Sequence, residues 1–517
     1  MRNRDVATTM SVDETVRINR WGPLIDSVHP KNVVLIVMDT ARAADTGVPD
    51  GSPPTTPTLR RLADQGTAFT NAAAAAPWTL PSHASLFTGT YPSKHGAHAG
   101  HKRLDGSLPT LTEAFRNNGY ETVAVSNNTW ISEEFGFGRG FETFRKTWQY
   151  VQSDIDLGQV ARTTDGGIET ARALATRLAE GNPLINVTNA IYGQFFRKRD
   201  DDGAARTNEW IAEWLRDRNR ERPFFLFVNY LEPHLEYRPP EQYAEQFLPP
   251  EVSYREAMTV PQDAWSYIAG ETDLSERDFA ALRGLYRGEI AYLDDRIGEL
   301  KTALVKAGEW EDTVFVITSD HGENIGDHGL MDHQYCLYDT LLHVPLVVHG
   351  GAFTDGGTVD HPVQLVDLPP TLLDATGIDA PSARSGFQGR SFHPDTSAPA
   401  HTPTIAEYIA PQPSMEALER QLGDLPDRAR RYDRSLRAVR TGEHKLIRGS
   451  DGARELYRIR DDPWETGNIA ERNPETVAEL EAALDKWLDS FEHATVSGPV
   501  TPSKAARDRL EELGYLQ

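Results

Sequence analysis

The chain has 517 residues and carries 77 acidic against 53 basic side chains, a formal net charge of −24 at pH 7 and a pI near 5.1. A surface this acidic repels phosphate backbones and anionic lipid, which excludes binding to bulk nucleic acid. Lysine supplies ten of the basic residues and arginine the other 43, an acidic and lysine-poor balance that reads as adaptation to a salt-rich, halophilic solvent.

In chain order, residues 1–28 are polar and aperiodic and are expected to form a loosely docked tail. They contain no apolar h-region, and no apolar run in the chain approaches the roughly 20 residues of a membrane helix. The expected location is therefore cytoplasmic, with no membrane span. Residues 31–39 form a short apolar run that ends in an acid, the pattern of a buried parallel strand. A turn-rich loop follows, then a predicted helix over 58–65 that Gly66 stops. Thr79 stands where an N-cap would, with Pro81 in the first turn of the next helix. Residues 108–118 read as helix and 121–125 as strand. Residues 150–220 are helical and charged in pattern and are expected as an insertion. Buried strands are predicted at 224–228, 313–318 and 344–348, with a long helix over 279–307.

Strands alternating with helices predict an α/β fold, a mostly parallel sheet sandwiched by helices. After about residue 390 the texture changes. A hairpin over 437–448 turning at Thr441 and Gly442, a strand over 455–459 and a helix over 474–491 predict a small C-terminal α+β subdomain. The expected organisation is a tail (1–28), a main domain (29–390) carrying the 150–220 insertion, and the subdomain (391–517). The single cysteine, Cys336, excludes an internal disulfide and any Cys-cluster metal site.

Three predicted strand ends deliver polar residues where the apolar ones stop: Asp39, His234, and Asp320 with His321. The loop beyond carries Glu323, Asp327, His328, Asp332 and His333. Oxygen and imidazole groups from separated strand ends can cage a divalent metal; for any one of them alone, a polar loop facing water is the alternative. For Thr79 the local alternative is an ordinary helix cap. The chain has no Gly-Lys dipeptide for a P-loop, no His-Glu-x-x-His and no Gly-x-Ser-x-Gly.

Taken together, the pieces resemble the sulfatase branch of the alkaline phosphatase superfamily. They are Val-Val-Leu-Ile-Val-Met-Asp-Thr-Ala-Arg (33–42), Thr-Leu-Pro-Ser-His-Ala-Ser-Leu-Phe-Thr-Gly (79–89), Glu-Pro-His-Leu-Glu-Tyr-Arg-Pro-Pro (232–240), Thr-Ser-Asp-His-Gly-Glu (318–323), Asp-Pro-Trp-Glu (462–465) and Leu-Gly-Tyr-Leu (513–516). The resemblance implies an alkaline-phosphatase-like fold and one divalent cation held by Asp39, Asp320, His321 and Thr79, with Thr79 as nucleophile. Mn2+ or Zn2+ is favoured, with Ca2+ or Mg2+ as alternatives. His83 falls where typical sulfatases have arginine. His234 matches the substrate-facing histidine, and His333 falls where many members place a lysine.

There are departures. Thr40 replaces a second acid of the calcium sulfatases, Asn127 and Asn128 replace Lys and His, and Arg42 either approaches the site or pairs with a carboxylate. Tyr230 stands where two-zinc phosphodiesterases have an acid four residues before the histidine, so a second metal site is not evident. The main departure is Thr79. Typical sulfatases convert a cysteine or serine here to formylglycine, whose hydrate can expel sulfate. A threonine ester must be cleaved at the central atom, which favours phosphoesters.

The expected function is metal-dependent hydrolysis or transfer of sulfate or phosphate esters through a covalent Thr79 intermediate. The substrate would be a small-molecule, lipid-head-group or glycan ester, with the oligomeric state left open. The rivals are a sulfatase working without formylglycine and a non-catalytic anion- or glycan-binding member of the family.

Overall fold

The computed structural model describes residues 31–48, 52–147, 201–354, 356–396 and 403–496, with 502, 506, 507 and 510 beyond them. The expected tail, most of the 150–220 insertion and the 513–516 motif lie outside the described residues.

Eight strands form the main sheet: β1 (Asn32–Met38), β2 (Thr67–Phe69), β3 (Glu121–Ser126), β4 (Thr143–Lys146), β5 (Phe224–Tyr230), β6 (Thr313–Ser319), β7 (Leu346–His349) and β8 (Gly357–Val359). Their spatial order is β8-β2-β7-β6-β1-β5-β3-β4. Only β7 runs against the others; every other neighbouring pair is parallel.

The continuous apolar runs are explained by burial on both faces. Val33, Leu35, Val37, Phe225, Phe227, Val314 and Val316 pack into one core with helix α2 (Thr79–Thr88) and helix α3 (Leu111–Asn117). Val34, Ile36, Leu226, Val228, Phe315 and Ile317 pack into the other. Leu59 and Leu62 of helix α1 (Pro57–Gln65), Ile211 and Leu215 of helix α4 (Ala204–Asp217), and Leu293, Ile297 and Leu300 of helix α5 (Glu276–Ala307) cover that face. Each such fully buried aliphatic side chain contributes about 1.5–3 kcal/mol. Alternate residues of a strand point to opposite faces, so a strand covered on both sides must be apolar throughout.

The run at 344–348 is not one strand. His343–Val344 pairs with Ala72–Ala73 in a separate three-stranded sheet, and only Leu346–His349 joins the main sheet, antiparallel to β6. Pro345, which has no N–H to give a ladder, separates the two pieces.

The C-terminal region is a four-stranded antiparallel sheet of β9 (Thr404–Tyr408), β10 (Leu436–Arg440), β11 (His444–Gly449) and β12 (Arg454–Arg458). The hairpin turns at Thr441 and Gly442 as expected. Helix α6 (Pro474–Leu488) packs on this sheet through Leu480 and Leu484, in a core that also takes Ala75, Tyr91 and Val366 from the preceding part of the chain.

Candidate active site

The parallel register builds the site. Met38 pairs with Ser319 and with Tyr230, so the next residues, Asp39 and Asp320, leave adjacent strands at the same level. Ser319 staples these ends, its Oγ donating to the Met38 carbonyl at 2.5 Å and accepting from the Ala41 amide at 2.8 Å. The carboxyl ends of sheet strands are where open α/β folds place ligands.

Asp39, Asp320 and His321 are fully buried and offer ligand atoms all within 4.8 Å of one another. His321 Nε2 lies 3.3 Å from Asp320 Oδ2 and 3.9 Å from Asp39 Oδ1. Their remaining atoms are used to fix them. Asn128 Nδ2 donates to Asp39 Oδ2 at 2.6 Å, the Thr40 and His321 amides donate to Asp320 Oδ1 at 3.3 and 3.0 Å, and His321 Nδ1 meets the Gly322 carbonyl at 2.9 Å. Asp39 Oδ1 and Asp320 Oδ2 make no hydrogen bond at all. Two buried carboxylates with such oxygens converging beside an imidazole are costly unless a cation lies among them. The residues present therefore fit a divalent ion. In the bare cluster, burial, ahead of the Asp320 charge, pushes Asp39 up to about 7. Burial opposes ionisation of Asp320 as well, but His321 outweighs it and holds that carboxyl below the usual range.

Thr79 does not cap its helix. Trp78 is the N-cap residue, without a side-chain bond, and Thr79 is the first helical residue. Its hydroxyl instead meets His321 Nε2 at 3.3 Å. The helix is anchored under the sheet end by Ser82 Oγ, which donates to the Asp320 carbonyl at 2.6 Å. The observed cap, Trp78, lies one residue before the expected one, a shift of helix boundary that the sequence pattern does not resolve.

His83 sits behind Thr79. Its Nδ1 is 2.9 Å from the Thr79 carbonyl and 3.4 Å from Asp320 Oδ2, and its ring stands edge-on to Phe227 and Phe137. Burial would lower its pKa, but the adjacent Asp320 carboxylate outweighs this and raises it. His234 and His333 flank the other side, with ring centroids 5.1 Å apart, and His333 lies 4.6 Å from the His321 ring. His234 Nδ1 bonds the Leu235 carbonyl, and burial together with His333 drives its pKa down to about 3. His333 goes the other way: burial opposes it, but Asp332, whose Oδ1 is 2.5 Å from Nδ1, raises it well above the ordinary value.

Arg42 pairs with Asp327 at 2.5 Å rather than entering the site. Tyr230 turns away and donates to Asn208 Oδ1 at 2.5 Å. Asn127 is structural, accepting from Thr147 and Thr207. Sequence reasoning missed the role of Asn128 in orienting Asp39. The only signal was its position just past a buried strand.

Strand-end carboxylates, imidazoles and a hydroxyl thus gather at the carboxyl end of an alkaline-phosphatase-like sheet. The Sulfatase family profile matches residues 31–378, and the chain belongs to that family of ester-bond hydrolases, whose members bind a divalent metal. Arylsulfatase K of Xenopus laevis is 25% identical over 489 residues, covering 89% of this chain and 83% of its own length. Among solved structures, phosphonate monoester hydrolase of Agrobacterium radiobacter superposes with a TM-score of 0.63 at 22% identity, over 89% of this chain and 95% of that one. A protein solved with its substrate D-glucosamine-2-N,6-O-disulfate gives 0.62 at 19% identity, over 90% and 99%. Among the described residues no helix is long and apolar enough to cross a membrane.

Proposed function

We propose that the chain cleaves phosphate or phosphonate esters through a covalent ester of Thr79. The observation that carries this reading is the placement of the Thr79 hydroxyl 3.3 Å from His321, beside the buried Asp39–Asp320–His321 triad and released from any capping role. A divalent cation held by Asp39, Asp320, His321 and Thr79 would favour the alkoxide and offset charge on the transferring oxyanion. One imidazole among oxygen ligands favours Mn2+ or Zn2+.

The other side chains divide the proton work. Two imidazoles whose surroundings push their pKa values apart suit one to donate and one to accept. His333, held protonated beside Asp332, donates to the leaving oxygen. His234 has its Nδ1–H committed to Leu235 and presents Nε2 as an acceptor that orients the incoming water or acceptor alcohol. His83 supports Asp320 and the first turn of the helix from behind. Threonine has no second hydroxyl on the bonded carbon, so the intermediate must be cleaved by attack at phosphorus. The sugar substrate of the neighbour described above supports a glycan ester as one substrate class.

A second reading, sulfate-ester hydrolysis without formylglycine, is favoured by the arylsulfatase relative. The test is a panel of matched aryl phosphate, phosphodiester, phosphonate and sulfate esters at high salt, with Mn2+, Zn2+, Ca2+ and Mg2+ supplied in turn. Phosphoester or phosphonate turnover is expected to dominate. Dominant sulfate turnover overturns the first reading, and no turnover with any metal favours a binding protein.

A further inference from the structure

We infer that the chain holds a second divalent cation, in a pocket formed by Glu323, Asp332 and His333 next to the Asp39–Asp320–His321 site. The pocket is made by a small hairpin. Asn324 pairs with Asp332 and Ile325 with Met331, which sets Glu323, just before the first strand, across from His333, just after the second. Asp332 adopts a left-handed backbone conformation (φ 73°), a conformation uncommon outside glycine, at the point where its carboxylate turns toward its neighbours. The Glu323 amide is tied to the Thr340 carbonyl at 3.0 Å and the Gly322 amide to the Leu341 carbonyl at 2.8 Å, so the hairpin base is fixed.

The three side chains are 0–5% exposed, and each offers a ligand atom within 4.8 Å of the others. None belongs to the first triad. The independent sign of a missing cation is Glu323. Both its carboxylate oxygens are buried and neither has a hydrogen-bond partner; the nearest imidazole nitrogen, His333 Nδ1, is 3.4 Å from Oε1. The Tyr237 hydroxyl, fully buried and also without a hydrogen bond, feels Glu323 as the first charge acting on it.

A proton on His333 Nδ1 faces Asp332 at 2.5 Å and Glu323 only at the longer 3.4 Å, and it leaves Glu323 Oε2 with no hydrogen bond. A divalent ion satisfies all three groups, and two carboxylates with one imidazole are a donor set for Mn2+, Zn2+ or Mg2+. The ion and the His333 proton are alternative occupants: binding releases that proton to solvent. His333 is also the proton donor in the function proposed above, so an ion in this pocket and that donation exclude each other; the inference itself rests on the pocket's geometry and not on that reading.

The test uses the full chain, stripped of metal by chelation and then dialysed against Mn2+, with bound Mn2+ counted by elemental analysis and its spin coupling read by electron paramagnetic resonance. Two Mn2+ per chain are expected, close enough to broaden each other's signal. Glu323→Gln and, as an independent variant, Asp332→Asn should each bind one, with the broadening lost. Asp39→Asn should also bind one. Circular dichroism confirms that each variant is folded. A wild-type chain that binds a single Mn2+, kept by Glu323→Gln and lost by Asp39→Asn, overturns the second site and leaves the first standing. Two ions retained by both Glu323→Gln and Asp332→Asn also overturn it. No bound Mn2+ in the wild type overturns both.

Discussion

At Lys445 and Asp339, buried charges meet permanently charged partners inside the protein; at Asp39 and Asp320 the nearest partners are imidazoles. Lys445, 1% exposed on β11, lies 2.7 Å from both Asp339 and Glu465, and Arg440 reaches Asp339 at 3.5 Å. This network joins the C-terminal sheet to the loop before β7. Its carboxylates each face a cation at ion-pair distance. The strand-end carboxylates instead face imidazoles, His321 Nε2 beside both and His83 Nδ1 beside Asp320. Lys445 and Glu465 are nearly as hidden from water as Asp39 and Asp320, so burial alone does not separate the two clusters. What separates them is whether the partner is a permanent cation of the chain or an imidazole beside groups that could hold a metal ion.

Four changes break or sharpen this contrast. The largest effect is expected from Thr79→Ala, which should lower kcat on the order of 10^3-fold or more, with the melting temperature of the metal-free chain nearly unchanged. Lys445→Met should do the reverse. Stranding the buried Glu465 and leaving Asp339 with Arg440 alone costs about 3–5 kcal/mol in denaturant unfolding, while kcat per folded molecule holds.

Asp39→Asn should stabilise the metal-free chain by about 1–3 kcal/mol, because an unpartnered buried carboxylate is removed. It should also cut the rise in melting temperature on adding Mn2+. A destabilised metal-free Asp39→Asn would mean that the triad is internally satisfied after all. The smallest effect concerns acid. Burial opposes the charge on Asp339, but Lys445 and Arg440 outweigh it and hold its pKa below the unfolded value of 3.8. That stabilisation is present above pH 3.8 and lost as pH falls through the lower folded value. Stability of the wild type should therefore fall below about pH 4 more steeply than that of Asp339→Asn.

Much of the sheet and part of the site were legible in the sequence, for a physical reason. A parallel strand buried on both faces must be apolar throughout, so the first polar residue after it announces the strand's end, as at Asp39 and Asp320. Where the outcome depends on register between distant segments, the pattern is silent. Asn128 reaches Asp39 only because β3 and β1 lie on either side of β5. Glu323 faces His333 only because a two-residue pairing folds the loop back. The run at 344–348 read as one strand because apolar content does not show that Pro345 divides it between two sheets. The cap reading of Thr79 failed on a single residue of helix boundary.

All ten residues of the helix that carries Thr79 are buried, and its C-terminal end is closed by Gly89 in the left-handed conformation. A helix without a solvent face cannot fray independently of the body around it. Its amide protons should therefore be among the slowest in the chain to exchange with deuterated solvent, opening only when the whole molecule unfolds. The position of Thr79 is thus protected by the same barrier that protects the fold. Any motion that admits a substrate belongs to the surface above the site, and heat inactivation should track global unfolding with no earlier loss of the catalytic centre.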